Sequence, residues 1–342
     1  MRFLLLILLL YLSGYIFPQA GSSILPKNNT HFLVSPKYFE WNQIGTNNEY
    51  ILSISQDSLF PPGQTSTINT MNTYLNFQDT LTSGKWYWKI DAVNTPIDYV
   101  SVINNFEIVD FSSLSSLKLW LVPDSINCIP PNGPLSSWVD ISNQSNNLFQ
   151  NTANRKPILE DSIINKLPAV YFDGNDRFDS PSMQLSDAEF FFVYRGENNV
   201  NKVFSFQNGY FDKYNNQGGM LYLAGNNYQK YNNVPETNKF QFHNFSFLNG
   251  RANHASGFLR INNVNIPKAF GIGSTSNNIN NLLLGTYKGH FAELIIFDSL
   301  LSEEHRNAVS TYLFDKFAPR VNLGSDILIE YGFCDQELFS LN

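Results

Sequence analysis

Short runs of alternating apolar and polar residues, broken by Pro, Gly and Asn, constrain the fold of this chain more than any other feature. The clearest is "KWYWKIDAV", in which Trp86, Trp88 and Ile90 alternate with lysine, tyrosine and aspartate. Successive side chains of a β-strand point to opposite faces, so this run indicates an antiparallel strand with a buried tryptophan face. Similar runs recur from Phe32 to about Phe297. They predict an all-β protein.

One segment departs from the strand pattern. In "SLLSEEHRNAVSTYLFDKFA", Ser302 can cap a helix, and Glu303 and Glu304 fall in its first turn, where the helix dipole favours negative charge. The segment therefore predicts one C-terminal helix packed on a sheet. Its apolar stripe has helical spacing and consists of Ala308, Val309, Tyr312, Leu313 and Phe317.

The first 20 residues, "MRFLLLILLLYLSGYIFPQA", join a basic residue to a leucine-rich run and a small-residue end. This order predicts a secretory signal peptide over residues 1–20. The apolar core from Phe3 to Leu12 is shorter than the roughly 20 residues that a membrane-spanning helix needs, so we expect no retained transmembrane segment. No cysteine lies directly after Ala20, so we also expect no lipid anchor. The predicted location is extracellular or the cell surface.

Charge and cysteine content exclude two classes of protein. The formal net charge of the 342 residues is -7, and only 15% of them are charged. The chain therefore offers no basic face to a phosphate backbone, and we expect no nucleic-acid partner. Cys128 and Cys334 are too few for a disulfide scaffold, so stability must come from packing. Whether these two cysteines pair stays open.

Three strand-like segments follow one another between residues 31 and 111. A strand around Trp41 precedes "EYILSISQDSLF", which is followed by "TLTSGKWYWKIDAVN". This order resembles a fibronectin type III domain. The resemblance implies a β-sandwich in which Trp41 is the inner tryptophan of an early strand, and it implies no catalytic residue. We expect Trp41, Trp86 and Trp88 to lie in the core, because large aromatic side chains contribute mainly buried area.

Four segments between residues 115 and 318 occur in a single order: "LKLWLVPDSI", "LSSWVDISNQSNNLFQ", "RKPILEDSIINKLPAVYFDGND" and "HFAELIIFDSLLSEEHRNAVSTYLFDKF". Together they resemble the concanavalin A-like, laminin-G-like domains of secreted bacterial surface proteins, of the kind found in Bacteroidetes. The resemblance implies an antiparallel two-sheet jelly roll with one C-terminal helix. Members of this family include carbohydrate-binding modules, adhesion modules and modules of no known ligand. Residues 319–342 resemble the start of a further immunoglobulin-like or PKD-like repeat.

The stretch "KLPAVYFDGNDRF" contains an acidic, glycine-centred bend. An EF-hand loop is excluded, because Arg177 and Gln184 stand at the fifth and twelfth places counted from Asp173. Two interpretations stay open, a tight turn between two strands and a looser calcium site. Hard cations take carboxylate and amide oxygens, which would here come from Asp173, Asn175 and Asp176. The sequence points to no other cofactor.

Motifs for catalysis are missing from the sequence. Glycoside hydrolases of the jelly-roll fold place two carboxylates on one strand in an E-x-D-x-x-E run, which does not occur here. Glu293 and Asp298 are five residues apart, so they would face opposite sides of a regular strand. There is no G-x-S-x-G elbow, P-loop or H-E-x-x-H, and the five histidines have no ligand spacing. We predict that the protein is not an enzyme. A glycoside hydrolase with an unrecognised site is the third hypothesis, after the two binding and structural functions given below.

The segment from residue 206 to residue 233 is dense in tyrosine, asparagine and glycine. A tyrosine ring can pack on the apolar face of a sugar, while asparagine amides donate to and accept from its hydroxyls. The chain is then a carbohydrate-binding or adhesion module whose partners are neutral glycans or surface proteins. Alternatively, these are ordinary hairpin loops and the chain is a structural spacer of a longer surface protein. The candidate contacts are Tyr210, Tyr214, Tyr228, Tyr231, Asn226 and Asn227.

Overall fold

The chain divides into two compact units, Met1–Asp110 and Phe111–Asn342. The predicted signal peptide, Cys128, Cys334 and the predicted tail beyond residue 319 lie outside the described residues. The computed structural model describes residues 23–45, 49–93, 100–111, 114–126, 133–180, 183–185, 187–197, 202–206, 209–214, 218–223, 227–231, 239–247, 257–272 and 279–319.

The first unit is built from two β-sheets. Three strands form one sheet in the order β1-β3-β6, and five form the other in the order β2-β8-β7-β4-β5. Neighbouring strands are antiparallel except β2 and β8, which are parallel. The strands are β1 (Ser23–Leu25), β2 (Thr30–Phe32), β3 (Tyr38–Trp41), β4 (Tyr50–Ser55), β5 (Thr65–Thr70), β6 (Tyr74–Asn76), β7 (Gly84–Ala92) and β8 (Asn104–Ile108).

Aromatic residues from both sheets meet in the core of this unit. The side chains of Trp41 and Trp88 are buried, which confirms the prediction for both. The ring of Phe39 on β3 stands edge-on to Trp88 on β7, with 5.2 Å between the centroids. Trp86 is only half-buried, because its indole N–H reaches out to the carbonyl of Thr82 at 2.9 Å. The alternation of β7 thus has the predicted phase, with its tryptophan face turned to the core.

The second unit contains two large antiparallel sheets. One has nine strands in the order β10-β11-β14-β26-β17-β18-β19-β20-β24. The other has eight, with β12-β13-β27-β16-β21-β22-β23 in a row and β9 paired to β27. A short pair, β15 and β25, stands apart. The strands of the nine-stranded sheet are β10 (Ser137–Trp138), β11 (Leu148–Phe149), β14 (Arg177–Asp179), β17 (Lys202–Phe206), β18 (Gly209–Tyr214), β19 (Gly218–Leu223), β20 (Asn227–Tyr231), β24 (Lys268–Ile272) and β26 (Leu283–Gly285).

The remaining strands complete the eight-stranded sheet and the short pair. They are β9 (Leu117–Leu121), β12 (Ile158–Ile164), β13 (Leu167–Asp173), β15 (Gln184–Leu185), β16 (Ala188–Gly196), β21 (Gln241–Phe247), β22 (Leu259–Ile261), β23 (Val264–Asn265), β25 (Ile279–Asn280) and β27 (Lys288–Phe297).

The two large sheets pack face to face through phenylalanine. Phe211 on the nine-stranded sheet stacks on Phe245 of the eight-stranded sheet, with centroids 5.0 Å apart. Phe192 of β16 stands edge-on to Phe204 of β17 at 4.8 Å. Trp138 is fully buried in the same cluster. The predicted fold class is confirmed, since the described residues form an all-β protein of packed sheets with one C-terminal α-helix.

The helix α1 (Glu303–Phe317) covers the outer face of the eight-stranded sheet. The ring of Phe314 on this helix packs edge-on against Phe242 of β21, with centroids 5.2 Å apart. Ser302 caps the helix, and its hydroxyl accepts a hydrogen bond from the backbone N–H of His305. The predicted stripe is buried except Tyr312, which is half-buried against Trp120. Within the described ranges, no helix is long and apolar enough to cross a bilayer.

Candidate functional site

The segment in which the sequence predicts ligand-binding loops forms strands. Tyr210 and Tyr214 lie on β18, and Tyr228 and Tyr231 lie on β20. These strands flank β19, and pairing runs continuously from β17 to β24. The connections between β18, β19 and β20 are only three residues long. Because the connections are short, the predicted tyrosines lie in the strands. The candidate contacts therefore belong to a sheet and not to loops.

Strand register places three tyrosines in one row across this sheet. Tyr210 of β18 pairs with Tyr222 of β19, and Tyr222 pairs in turn with Tyr228 of β20. Phe211, the neighbour of Tyr210, is buried between the two sheets. Because successive residues of a strand alternate between its faces, the positions 210, 222 and 228 belong to the face turned away from the core. We call these three residues the tyrosine row.

The other predicted contacts occupy different positions. Tyr214 is on the same face as Tyr210, at the end of β18 opposite Gly218. Tyr231 is buried in the core, and this burial raises the pKa of its hydroxyl. Asn227 stands an even number of residues from Tyr231, so its position belongs to the core-facing side of β20. Asn226 lies outside the described residues.

Sequence reasoning missed Tyr222. The signal was present in "GMLYLAGNNYQKY", because Tyr222 and Tyr228 are equally distant from the centre of the connection between β19 and β20. Two residues placed symmetrically about a hairpin connection pair with each other. Neighbouring strands are about 4.8 Å apart, so a row over three strands extends roughly 10 Å.

A second row beside the tyrosines consists of one acidic, one apolar and one basic residue. Asp212 of β18 pairs with Met220 of β19, which pairs with Lys230 of β20. Each of these residues is two positions from the tyrosine row, so all three belong to the same outer face. One acidic and one basic residue give this part of the face no net charge.

The acidic bend at Asp173 is a turn closed by its own hydrogen bonds. It connects β13 to β14, and Gly174 adopts a φ of 103°, which favours glycine. The Asp173 carboxylate accepts from the backbone N–H groups of Asn175 at 2.7 Å and Asp176 at 3.0 Å. Asp176 in turn accepts from the N–H of Asp173 at 3.0 Å. Carboxylates used in this way serve the turn, as Asx turns do.

The calcium interpretation of this bend stays a prediction. Asp173 and Asp176 contribute two carboxylates, and Asn175 donates its amide N–H to the carbonyl of Asn154 at 3.1 Å. In the parts of the chain that the structure describes, no group of three or more His, Cys, Asp or Glu residues is placed to hold a metal ion. A calcium ion would have to draw further oxygens from the backbone or from amides.

Asp176 should make stability depend on pH. Burial, followed by repulsion from Asp173, raises the pKa of its carboxyl from 3.8 to about 6. The folded state then binds this proton more tightly than the unfolded state, so the stabilisation is present below about pH 4 and is lost as the pH rises to about 6. Between pH 4 and 6.5, the free energy of unfolding of the wild type should fall by on the order of 2–3 kcal/mol relative to that of Asp176→Asn. Denaturant titrations of both proteins at several pH values measure this difference.

If the difference in free energy of unfolding between the wild type and Asp176→Asn stayed constant over this pH range, the raised pKa of Asp176 would be contradicted. Repeating the titrations with millimolar calcium tests the metal interpretation at the same residue. A bound calcium ion would stabilise the wild type, and Asp176→Asn would reduce that effect. Equal curves with and without calcium would leave the bend as a turn only.

Two other carboxylates are fully buried beneath the helix and are bound to side chains there. Glu189 accepts from Arg306 at 2.6 and 3.0 Å. Glu293 accepts from the indole of Trp120 at 2.8 Å and from the ammonium of Lys316 at 3.0 Å. Burial raises the pKa of Glu293. Both carboxylates join the helix to the sheet, and neither opens to a surface where a substrate could bind.

No protein-family model matches the sequence, and no curated protein matches it. Solved structures do align with it. Domain 4 of AbnA, a GH43 extracellular arabinanase from Geobacillus stearothermophilus, in complex with arabinotriose, aligns at 15% identity and a TM-score of 0.42. That alignment covers 57% of this chain and 98% of the arabinanase domain.

Two further structures align over parts of their length. The binding domain of botulinum neurotoxin DC in complex with SialylT has 14% identity and a TM-score of 0.37, over 58% of this chain and 51% of the toxin chain. Trypanosoma rangeli sialidase in complex with the inhibitor DANA has 11% identity and a TM-score of 0.34, over 68% and 43%. This chain thus spans about half of either structure or less. With TM-scores below 0.5, none of these alignments assigns a family or a ligand to this chain.

Proposed function

We propose that this protein is a non-catalytic carbohydrate-binding module, secreted or held at the cell surface, whose second unit contacts a neutral glycan through the tyrosine row. The observation that supports this most directly is the register that aligns Tyr210, Tyr222 and Tyr228 on three neighbouring strands. Their positions belong to the face of the nine-stranded sheet opposite the core. The predicted signal peptide supports an extracellular setting.

The chemistry of such a row suits a sugar chain. A phenol ring packs on the apolar face of a pyranose, and its hydroxyl both donates and accepts hydrogen bonds. A row of roughly 10 Å over three strands is long enough for consecutive sugar rings to contact consecutive tyrosines. The balanced charges of Asp212 and Lys230 beside the row favour a neutral glycan over an acidic one. Surface proteins are the alternative partners of the same face.

We propose that the first unit is a fibronectin type III-like domain, which the sequence predicts over residues 31–111. Its strand order, with β1-β3-β6 in one sheet and β2-β8-β7-β4-β5 in the other, supports this class, and the pairing of β1 (Ser23–Leu25) with β3 extends the sandwich to residues before 31. We further propose that the concanavalin A-like domain spans residues 115–318 and that a further repeat begins after it. A structural spacer without a ligand is the alternative function.

A glycan array probed with the purified mature protein separates these two functions. Binding to a set of neutral oligosaccharides is the expected result, and it should persist when calcium is chelated if the tyrosine row is the contact surface. Binding that requires calcium would move the site to the bend at Asp173. A blank array under both conditions would support the spacer.

Replacing Tyr222, the central residue of the row, should weaken sugar binding without unfolding the protein. Loss of one stacking ring costs on the order of 1 kcal/mol, or about fivefold in the dissociation constant. Calorimetric titration of an array-positive sugar into Tyr222→Ala measures this change. Phe149→Ala is the matched control, because Phe149 is an exposed ring on β11 of the same sheet. An equal loss of affinity in both variants would refute a contact specific to the row.

A further inference from the structure

A polar cluster lies on the outer face of the eight-stranded sheet. Register places Tyr171 of β13 beside His290 of β27, and His290 beside Arg195 of β16. Glu160 of β12 reaches the same histidine, with 2.8 Å between its carboxylate and His290 Nε2. Val170 and Phe291, which neighbour these residues along the strands, point into the core, so the cluster is on the opposite face. It is separate from the tyrosine row, which belongs to the other sheet.

Arg195 is the unusual member of this cluster. Its guanidinium lies over the ring of Phe240, 4.9 Å from the centroid, and the side chain is half-buried. Nη2 donates to His290 Nδ1 at 3.1 Å, while Nε is buried without a hydrogen-bond partner. Among the described residues no carboxylate pairs with Arg195. Of the other described arginines, Arg177, Arg260 and Arg306 each pair with an aspartate or glutamate, and Arg155 does not.

The protonation of His290 follows from its two neighbours. A guanidinium can only donate, so Nδ1 of His290 must accept from Arg195, and the ring hydrogen is on Nε2, which donates to Glu160. Burial and the charge of Arg195 lower the pKa of His290, which keeps the ring neutral at neutral pH. The histidine therefore orients Arg195 without neutralising it.

Each of the other charged side chains of the patch has a polar partner. Lys288 forms an ion pair with Glu197 at 3.0 Å and a hydrogen bond with Tyr171. The backbones of β16 and β27 are in close contact beneath this patch, because a Cβ added to Gly289 would lie 2.1 Å from the carbonyl oxygen of Arg195. Glu160 is engaged by His290. The neutral ring of His290 stands between Glu160 and Arg195, so among the described residues Arg195 has no carboxylate in direct contact.

We propose that Arg195 anchors a second ligand site, which binds the single carboxylate of an acidic saccharide such as a uronic acid. Partly buried charges in proteins are normally paired, and the planar fork of an arginine matches a carboxylate with two parallel hydrogen bonds. Within the described ranges no acceptor binds Nη1 or the second hydrogen of Nη2, so both can form them. The half-buried ring of Tyr171, 4.9 Å from the His290 ring, offers an apolar flank for the sugar.

Calorimetric titration with D-galacturonate, D-galactose and acetate, at one ionic strength, tests this site in the full mature chain. We expect Arg195→Met to weaken galacturonate binding at least tenfold and Arg195→Lys to give an intermediate loss, because lysine keeps the charge without the fork. Arg177→Met is the matched control and should bind as the wild type does. Repeating the titrations in Tyr222→Ala removes the contribution of the tyrosine row, so each site succeeds or fails by itself.

Three results would overturn the proposal. Unchanged galacturonate affinity in a folded Arg195→Met variant would exclude Arg195 as the anchor. Equal affinity for galactose and galacturonate at this site would show that the carboxylate is not recognised. Acetate binding as tightly as galacturonate would remove the saccharide from the assignment. Thermal melting of each variant shows whether it is folded.

Discussion

Replacing Glu189 by glutamine should lower the free energy of unfolding by about 3 kcal/mol, because the buried guanidinium of Arg306 then keeps only its ion pair with the exposed carboxylate of Glu303. Glu189 is fully buried and accepts two hydrogen bonds from Arg306, at 2.6 and 3.0 Å. It also accepts from the amide of Asn244 and the backbone N–H of Leu301, both at 3.0 Å. One carboxylate thus joins the helix and the segment before it to two strands of the sheet.

The double variant Glu189→Met with Arg306→Met is the control for this prediction. Replacing a buried ion pair by apolar side chains of similar size is often neutral, whereas removing one partner is costly. The double variant should therefore be more stable than Glu189→Gln, as measured by urea denaturation. If the single glutamine variant lost less than about 1 kcal/mol, the pair would behave as a surface salt bridge and the account of the helix would be wrong.

Phe192→Ala should destabilise the protein by a similar amount, about 3–5 kcal/mol, because it removes a buried ring from the interface of the two large sheets. The ring of Phe192 is 4.8 Å from that of Phe204 and 5.9 Å from that of Phe211. These two residues lie on β17 and β18, so the ring supports the strand that holds Tyr210. The cavity should loosen the sheet beneath the tyrosine row as well as lower its stability.

Phe192→Leu is the graded control, since leucine fills more of the cavity and should cost less than alanine. Urea denaturation of both variants gives the two free energies, and hydrogen exchange at β17 and β18 reports the local loosening. Equal stability of the alanine variant and the wild type would contradict the packing of the two sheets through this ring.

Several elements could be predicted from the sequence, because local patterns determine them. The alternation in "KWYWKIDAV" places Trp88 in the core, and the structure buries it. Ser302 and the following glutamates mark the start of the helix, which begins at Glu303. These features depend on residues that are neighbours along the chain, so the period of side chains along one strand or helix is sufficient to find them.

The candidate sites depend on register between strands, which local patterns do not determine. The density of asparagine and glycine between residues 206 and 233 favoured loops. Paired strands joined by short connections are equally consistent with this composition. Tyr222 joins Tyr210 and Tyr228 only when β18, β19 and β20 are aligned residue by residue. A shift of one residue in either pairing would move a tyrosine to the other face.

The cluster at Arg195 lay further beyond sequence reasoning. Arg195 and His290 are 95 residues apart, and Glu160 and His290 are 130 apart. Neither strand pairing nor the missing carboxylate partner of Arg195 leaves a signal in a single sequence. Burial of Tyr231 was likewise not evident, because its neighbours in "NNYQKYNN" are polar.

Calorimetric titration of one array-positive neutral oligosaccharide into the wild type and into the variant Tyr210→Ala, Tyr222→Ala, Tyr228→Ala tests the central claim most directly. If the rings contribute independently at about 1 kcal/mol each, the triple variant should bind on the order of 100-fold more weakly than the wild type. Its thermal melting should stay close to that of the wild type, because the three positions belong to the outer face. Unchanged affinity in a folded triple variant would contradict the tyrosine row as the glycan-binding surface.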